Sequence, residues 1–386
     1  MPGVPENFFV SLAQTGIQRL RAYDPGHDLV GLRRRFADGS LIELGSNENP
    51  YGPSARAKEA VLGAIHDSFR YPDPLGSDLK RALAAHHDVS QQAVLLGNGS
   101  HELLMQFAQV FAGPGADVVA SRHGFAVYAI AAQAAGAHLR VAPCLPDESA
   151  MPRGHDLDAL ATAVLDTSRA AVARLAYLAN PNNPTGTWYA AEAFEAFMAK
   201  LPREVIVVVD EAYAEFVDAL DWTSALGLVE RHPNLVVTRT FSKAYALAGL
   251  RVGYAIGHPE LIAVMERVRE SFNVNSAGLA AAEAALGDVD HLRWCVARNA
   301  EQRTMLTAAL RRRGLQPFPS QTNFVLTRFA DPGEEARVAA IETALCARGI
   351  VLRPMGGYGL GHCLRITVGH ADEHRRLLAG LDEVLA

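Results

Sequence analysis

The sequence has few cysteines and no paired cysteine motif. Cys144, Cys295, Cys346 and Cys363 are its only cysteines, and no two of them form a C-x-x-C pair. This spacing argues against a disulfide framework and against a zinc site, and it predicts free thiols in a reducing compartment. We therefore expect a cytoplasmic protein that binds no metal.

Long apolar runs and an excess of positive charge are also missing. The first ten residues, MPGVPENFFV, lack the basic and apolar segments of a signal peptide. The uncharged stretch 124–139 contains Gln133 and is too short to span a bilayer. Lys and Arg number 36 against 42 Asp and Glu, a net charge of −6. Such a chain has no general attraction to nucleic acid or to an anionic membrane, and we expect neither partner.

The residues that are present predict an α/β protein. The chain has 386 residues, of which 49% are hydrophobic, so it can bury a large core. Short apolar runs alternate with Ala/Leu-rich helical stretches, which is typical of a parallel sheet covered by helices. The runs lie at 94–96, 117–120, 138–141, 171–178, 205–209 and 235–238.

The pattern changes near Asn275, where a smaller α+β region begins. We therefore predict three parts. They are an N-terminal arm that contributes to the small domain (1–45), a large domain (46–275) and a small C-terminal domain (276–386).

Polar clusters follow four of the apolar strands. Ligands of open α/β sheets bind outside the carboxyl ends of the strands, so the four clusters predict one shared site. The clusters are GNGSH (97–101), NPNNPTG (180–186), DEAY (210–213) and TFSK (240–243).

The first and third clusters each allow two interpretations. Ser100 can cap the helix that follows, and the glycines let the backbone approach an anion, although a plain strand-to-helix turn would look the same. Asp210 ends a buried strand and needs a cationic or N–H partner. A protonated ring nitrogen would supply that partner, and a structural carboxylate that caps the next turn is the alternative.

The other chemically active residues also have structural alternatives. Lys243 at a buried strand end favours a nucleophilic amine, whereas most lysines lie at the surface. Arg251 can bind a phosphate dianion through its planar fork. Asn183 can donate to a phenolate oxygen or form an Asx turn, and Tyr128 can stack on a ring or belong to the core. Together these groups are the set that pyridoxal 5′-phosphate requires.

Eight motifs that span most of the chain carry a family resemblance. They are SNENPYGPS (46–54), RYPDPLGSDL (70–79), LGNGSHE (96–102), ANPNNPTGTW (179–188), VVVDEAYAEF (207–216), RTFSKAYALAGLRVGY (239–254), FNVN (272–275) and LRPMGGYGLGHCLRITVG (352–369). The chain resembles the fold type I pyridoxal-phosphate aminotransferases and, among them, the histidinol-phosphate aminotransferase family. The resemblance implies a large domain with a mostly parallel seven-stranded sheet and a smaller α+β domain.

The resemblance also implies catalytic and cofactor roles. Lys243 resembles the lysine that binds the cofactor covalently, and Asp210 resembles the partner of the pyridine nitrogen. Asn183 and Tyr213 resemble the donors to the ring oxygen, and Tyr128 resembles the aromatic residue that stacks on the ring. The implied phosphate contacts are Gly99, Ser100, His101, Thr240, Ser242 and Arg251.

The implied substrates are histidinol phosphate and 2-oxoglutarate, which give imidazole-acetol phosphate and glutamate in histidine biosynthesis. Arg365 resembles the arginine that binds the substrate carboxylate, and Arg353 a second anion contact. Asn47 and Tyr51 are further expected substrate contacts. Tyr71 resembles a tyrosine that reaches the cofactor phosphate of the neighbouring subunit, which implies a homodimer with composite sites.

Three other functions share parts of this pattern. An aromatic amino-acid aminotransferase would use every cofactor residue, and a threonine-phosphate-type decarboxylase has the same fold. A non-catalytic regulator would need a DNA-binding extension, for which the N-terminal segment offers no room. The chain also departs from the family at His101, where an acid is usual, at Ala246, where glycine is usual, and at Gly361–His362, where proline is usual.

Overall fold

The computed structural model describes residues 8–20 and 26–385. None of the helices in these two ranges is long and apolar enough to cross a membrane. The strands are β1 (Ile42–Glu43), β2 (Val94–Gly97), β3 (Ala116–Ser121), β4 (Leu139–Ala142), β5 (Val172–Ala179), β6 (Ile206–Asp210), β7 (Leu235–Thr240), β8 (Gly253–Gly257), β9 (Gln316–Pro317), β10 (Phe324–Arg328), β11 (Ile350–Val351), β12 (Arg353–Pro354) and β13 (Cys363–Thr367).

Helices surround these strands. The α-helices are α1 (Phe8–Leu12), α2 (Thr15–Gln18), α3 (Leu29–Arg35), α4 (Ala55–Ile65), α5 (Ser77–His87), α6 (Ser100–Phe111), α7 (Ala126–Ala134), α8 (Leu157–Leu165), α9 (Ala191–Lys200), α10 (Pro259–Met265), α11 (Ser276–Leu286), α12 (Val289–Arg312), α13 (Glu335–Ala347) and α14 (Ala371–Leu385). Short 3₁₀ helices lie at Gln91–Ala93, Ala214–Phe216, Ala225–Leu228, Ala248–Leu250 and Gly356–Tyr358.

The larger region is a seven-stranded sheet in the order β2-β8-β7-β6-β5-β3-β4. All neighbouring strands are parallel except β8, which is antiparallel to both β2 and β7. Successive valines of β6 pack into two different core clusters, Val208 on one face and Val207 and Val209 on the other. Both faces are therefore buried, which explains the continuous apolar run and confirms the predicted α/β class.

The apolar runs did not predict β8. Its sequence, GYAIG, begins and ends with glycine, and glycine weakens a strand pattern. The strand forms because Tyr254 and its neighbours pair with β2 on one side and β7 on the other. Pairing with neighbouring strands therefore stabilises β8, although its own residues have little preference for a strand.

The smaller region is an antiparallel sheet in the order β12-β13-β10-β9. Helices α12, α13 and α14 pack on it through Leu306, Val338 and Leu377. β1 pairs in parallel with β11, and the His27 ring lies 2.8 Å from the Glu342 carboxylate of α13. These contacts support our proposal that the arm belongs to the small domain, although its residues 1–7 and 21–25 lie outside the described ranges.

The structure favours a later start for the small domain than residue 276. Helix α11 packs on α4 and α5, and its Ala281 and Leu286 share a core cluster with Ala57 and Leu79. We therefore propose that the large domain includes α11 and that the division falls within α12. The alternation of strands and helices stops after β8, the last strand of the large sheet, because three helices, α10, α11 and α12, follow it before β9.

A substitution at Gly253 tests how closely β8 packs against the start of α6. A Cβ atom at this position would lie 2.3 Å from the Ser100 amide nitrogen and 2.6 Å from the Gly99 carbonyl carbon. We expect Gly253→Ala to lower the free energy of unfolding by about 1–3 kcal/mol, because the backbone of α6 must move. Gly249→Ala is the control, since nothing lies within 4 Å of its added Cβ. Equal denaturation midpoints for the two variants would contradict this packing.

Candidate active site

The carboxyl group of Asp210 lies at the end of β6 and is 5% exposed. Its Oδ1 accepts from the Ala212 amide at 3.2 Å and from the Thr238 hydroxyl at 3.4 Å. Its Oδ2 accepts from the Tyr128 hydroxyl at 3.3 Å. Because burial outweighs these neutral donors, the pKa of Asp210 is raised to about 6. A protonated ring nitrogen would supply the positive charge that stabilises the carboxylate.

Lys243 follows β7, and its side chain points into the protein rather than into solvent. Its Nζ donates to the Asn47 carbonyl at 3.1 Å and lies 5.8 Å from the centre of the Tyr213 ring. Burial, together with the charge of Arg365, lowers the pKa of Lys243 to about 8. With this pKa, about a tenth of the amine is neutral at pH 7, far more than for an ordinary lysine, and the neutral form is the nucleophile.

Asn47 connects Lys243 to the predicted ring-oxygen donors. Its side-chain amide donates to the Tyr213 hydroxyl at 2.9 Å, and its backbone amide donates to the Thr367 hydroxyl at 2.9 Å. Burial raises the pKa of Tyr213 to about 12, so the phenol keeps its proton and can donate it. Asn47 has a φ of 55°, a left-handed conformation that asparagine tolerates better than most residues.

The start of α6 presents open backbone amides. The helix begins at Ser100, and Gly99 is the N-cap with a φ of 81° and no side-chain cap. The prediction that Ser100 caps the helix is therefore wrong, because Ser100 is already in the first turn. The uncapped amides of Ser100 and His101 suit an anion.

Arg251 closes the other side of this cradle. A Cβ atom on Gly99 would lie 2.6 Å from the Arg251 Nη2, so the guanidinium would have to shift, and the φ of 81° at Gly99 itself favours glycine. The Thr240 hydroxyl accepts from the Ser242 amide at 3.1 Å, and both residues are buried. Burial, together with the charge of Arg251, lowers the pKa of His101. These donors surround a helix N-terminus, which suits a phosphate dianion.

The two predicted substrate arginines are direct cross-strand neighbours. Arg353 of β12 pairs with Arg365 of β13 in the antiparallel register. Arg365 is buried and donates to Oδ1 of Asn183 at 2.7 Å and to the Gly45 carbonyl at 2.9 Å. Since that oxygen accepts from Arg365, the amide nitrogen of Asn183 remains the donor for a ring oxygen.

Tyr128 is placed differently from its predicted role. Its ring is 1% exposed and stacks on Tyr177, with centroids 4.8 Å apart and planes 6° apart. A ring that stacks on the cofactor needs an open face, which Tyr128 does not have. Phe125, half-buried and 6.0 Å from Tyr128, is an aromatic residue of this loop with accessible surface. Sequence reasoning missed it because it has the pattern of an ordinary apolar residue before a helix.

Two further tyrosines lie apart from these groups. Tyr51, which we expected to contact the substrate, packs edge to face against Trp294 at 5.0 Å and His370 at 4.8 Å. The rings of neighbouring elements therefore hold it in an aromatic cluster. Tyr71 is 82% exposed and stacks on Phe272 at 4.7 Å.

The residues fit the cofactor that the sequence resemblance implies. Open amides and Arg251 suit its phosphate, Asp210 its ring nitrogen, and Asn183 and Tyr213 its ring oxygen. The depressed pKa of Lys243 suits the covalent attachment point. The uncompensated Asp210 carboxyl is the most specific of these features, because a buried acid without a cation is costly.

Known proteins are similar to this chain over nearly its whole length. The sequence model for aminotransferase class I and II matches residues 40–381. Histidinol-phosphate aminotransferase 2 of Ralstonia nicotianae is 44% identical over 97% of this chain and 98% of its own. Histidinol-phosphate aminotransferase 1 of Nitrosococcus oceani is 42% identical over 98% of both. The crystal structure of histidinol-phosphate aminotransferase from Sinorhizobium meliloti in complex with pyridoxal-5′-phosphate has a TM-score of 0.87 and 34% identity, with coverage of 97% and 98%.

The raised pKa of Asp210 predicts that the free energy of unfolding of the cofactor-free protein depends on pH. Because the folded chain raises the pKa of this carboxyl from 3.8 to about 6, Asp210 favours folding below about pH 4, and this contribution is lost as the pH rises through 6. We expect Asp210→Asn to be more stable than the parent by about 2–3 kcal/mol above pH 7 and to lose that advantage near pH 4. Urea denaturation of both proteins across this range measures it. A pH-independent difference would contradict the burial argument.

Proposed function

The chain belongs to the aminotransferase class I and II family and, within it, to the histidinol-phosphate aminotransferases, and we propose that it transfers the amino group of histidinol phosphate to 2-oxoglutarate. The products are imidazole-acetol phosphate and glutamate, and the reaction serves histidine biosynthesis. The enzyme is a transaminase that depends on pyridoxal 5′-phosphate.

The arginine pair is the observation that carries the substrate proposal. Arg353 and Arg365 stand directly opposite each other, where like charges repel. An anion between them would remove that repulsion, and a guanidinium fork accepts phosphate and carboxylate alike. Histidinol phosphate carries a phosphate and 2-oxoglutarate carries two carboxylates. One pair of arginines therefore suits both half-reactions.

The chain supplies the proton transfer and the fixed charges. Bound pyridoxal phosphate supplies an electron-accepting ring, and Asp210 holds the proton on its nitrogen. Lys243 would hold this group covalently, and its amine would serve as the base that takes the proton from the substrate carbon. Its lowered pKa keeps part of the amine unprotonated for this work. Tyr213 and Asn183 hold the ring oxygen, and the start of α6 holds the phosphate together with Thr240, Ser242 and Arg251.

We also propose a homodimer with composite sites in the cytoplasm. Tyr71 is 82% exposed and is flanked by Phe69 at 74% and Leu75 at 56%. Large apolar side chains that lie this close together on a surface support an interface. The four cysteines, all free thiols, support a reducing compartment.

A substitution at Arg353 distinguishes histidinol phosphate from an aromatic amino acid as the preferred amino donor. Phenylalanine has an α-carboxylate for Arg365 but no second anion for Arg353. We expect Arg353→Ala to lower kcat/KM for histidinol phosphate by a factor that corresponds to about 1–3 kcal/mol and to change that for phenylalanine far less. Exposed Arg311→Ala is the matched control. Equal losses for the two donors, or a parent enzyme that prefers phenylalanine, would favour an aromatic aminotransferase.

Mixed dimers test the role of Tyr71. Lys243→Ala and Tyr71→Ala chains are each expected to be inactive alone. After subunit exchange, one site of each mixed dimer has both residues intact, so activity should return to about a quarter of the parent value. Lys243→Ala mixed with Asp210→Ala is the control, since both residues belong to the same chain's half-site. No recovery despite demonstrated exchange would contradict composite sites.

A further inference from the structure

Oδ2 of Asp210 has one hydrogen-bond donor in the described structure, the hydroxyl of Tyr128. That bond is 3.3 Å long, whereas Oδ1 accepts from both Ala212 and Thr238. The same hydroxyl lies 3.5 Å from the Leu178 carbonyl, but the carboxylate is both nearer and charged. Hydrogen bonds to charged acceptors are the stronger ones, so the proton of Tyr128 favours Asp210.

The surrounding elements fix the position of that hydroxyl. The Tyr128 ring stacks on Tyr177 of β5 at 4.8 Å, and Phe125 meets its edge at 6.0 Å. The Tyr177 hydroxyl donates to the Leu104 carbonyl of α6 at 2.5 Å. A chain of contacts therefore runs from Asp210 through two stacked tyrosines to the helix whose first turn forms the anion cradle. Because both rings are buried, neither can turn without opening the core.

We infer that Tyr128 is a positioning residue that orients the Asp210 carboxylate and stabilises its charge, rather than a ring-stacking residue. The inference rests on the proposed role of Asp210 as partner of the ring nitrogen. A fixed, ionised carboxylate keeps that nitrogen protonated, and a hydrogen bond to the charged form favours ionisation. The contact to Oδ2 also leaves the carboxylate little freedom to rotate. The ring of Tyr128 supplies packing, and its hydroxyl supplies the electrostatic effect.

The matched pair Tyr128→Phe and Tyr177→Phe separates the two effects. Each substitution removes one buried hydroxyl and keeps the stacked rings, but only the first removes a donor to Asp210. For Tyr128→Phe we expect pyridoxal phosphate to dissociate from the holoenzyme about tenfold more readily, as befits the loss of one hydrogen bond to a charged group. Tyr177→Phe should stay within about twofold of the parent, because its hydroxyl bonds a neutral carbonyl.

A pH titration of the holoenzyme absorbance gives a second readout. Tyr128, Glu211, Tyr213 and Lys243 are the titratable groups coupled to Asp210. We expect Tyr128→Phe to shift the titration of the bound cofactor, because the carboxylate that faces it is less stabilised. Tyr177→Phe should leave the curve unchanged. If the two variants shift the curve and the affinity equally, Tyr128 is a packing residue and the inference is overturned.

A double-mutant cycle distinguishes this inference from the proposed role of Asp210. If Tyr128 acts through Asp210, adding Tyr128→Phe to Asp210→Asn should not weaken cofactor binding further. Additive losses would overturn the positioning role while leaving the role of Asp210 intact. If Asp210→Asn alone changes neither the affinity nor the titration, the proposed role of Asp210 fails and the inference fails with it.

Discussion

The buried carboxyl of Asp210 is the constraint on which the rest of the active site depends. A carboxylate at the end of a fully buried strand is unfavourable unless a positive charge lies beside it. The fold surrounds it with neutral donors, which orient it but leave its pKa near 6. In the proposed function, a cationic ring nitrogen would offset this cost when it binds beside Asp210. The same carboxyl would then lower the stability of the cofactor-free chain and serve catalysis, a trade-off that is common at functional sites.

The opposed arginines of β12 and β13 are also an unfavourable arrangement of charge, in this case of positive charge. The sheet register brings Arg353 and Arg365 together although their charges repel. Arg365 relieves part of this cost through its bonds to Asn183 and Gly45. The site therefore holds a buried acid among neutral donors and two opposed arginines, and in the proposed function a cationic ring nitrogen and an anionic substrate bind beside them.

Asn47 joins these parts, because it contacts groups from both regions. Its carbonyl accepts from Lys243, its side chain bonds Tyr213, and its amide bonds Thr367 of the small sheet. The left-handed backbone at Asn47 directs the carbonyl and the side chain into the site. Ala246, with a φ of 59°, has the same left-handed conformation three residues after Lys243, at the position where the family resemblance led us to expect glycine.

The sequence by itself determined the fold class and six strands of the large sheet, because a strand that is buried on both faces has a continuous apolar run. It also showed the polar clusters that follow four of these strands, because the carboxyl ends of parallel strands lie at the same edge of the sheet. It further predicted that Lys243, Asp210, Asn183, Arg365 and the glycine at the cradle belong to the site. Only the tertiary structure decided the rest. β8 depends on its neighbours for pairing, and α11 packs with the large domain despite its position in the chain. Tyr128 turns its hydroxyl to Asp210, and Tyr51 joins an aromatic cluster. These outcomes depend on contacts between residues distant in sequence, which no local pattern records.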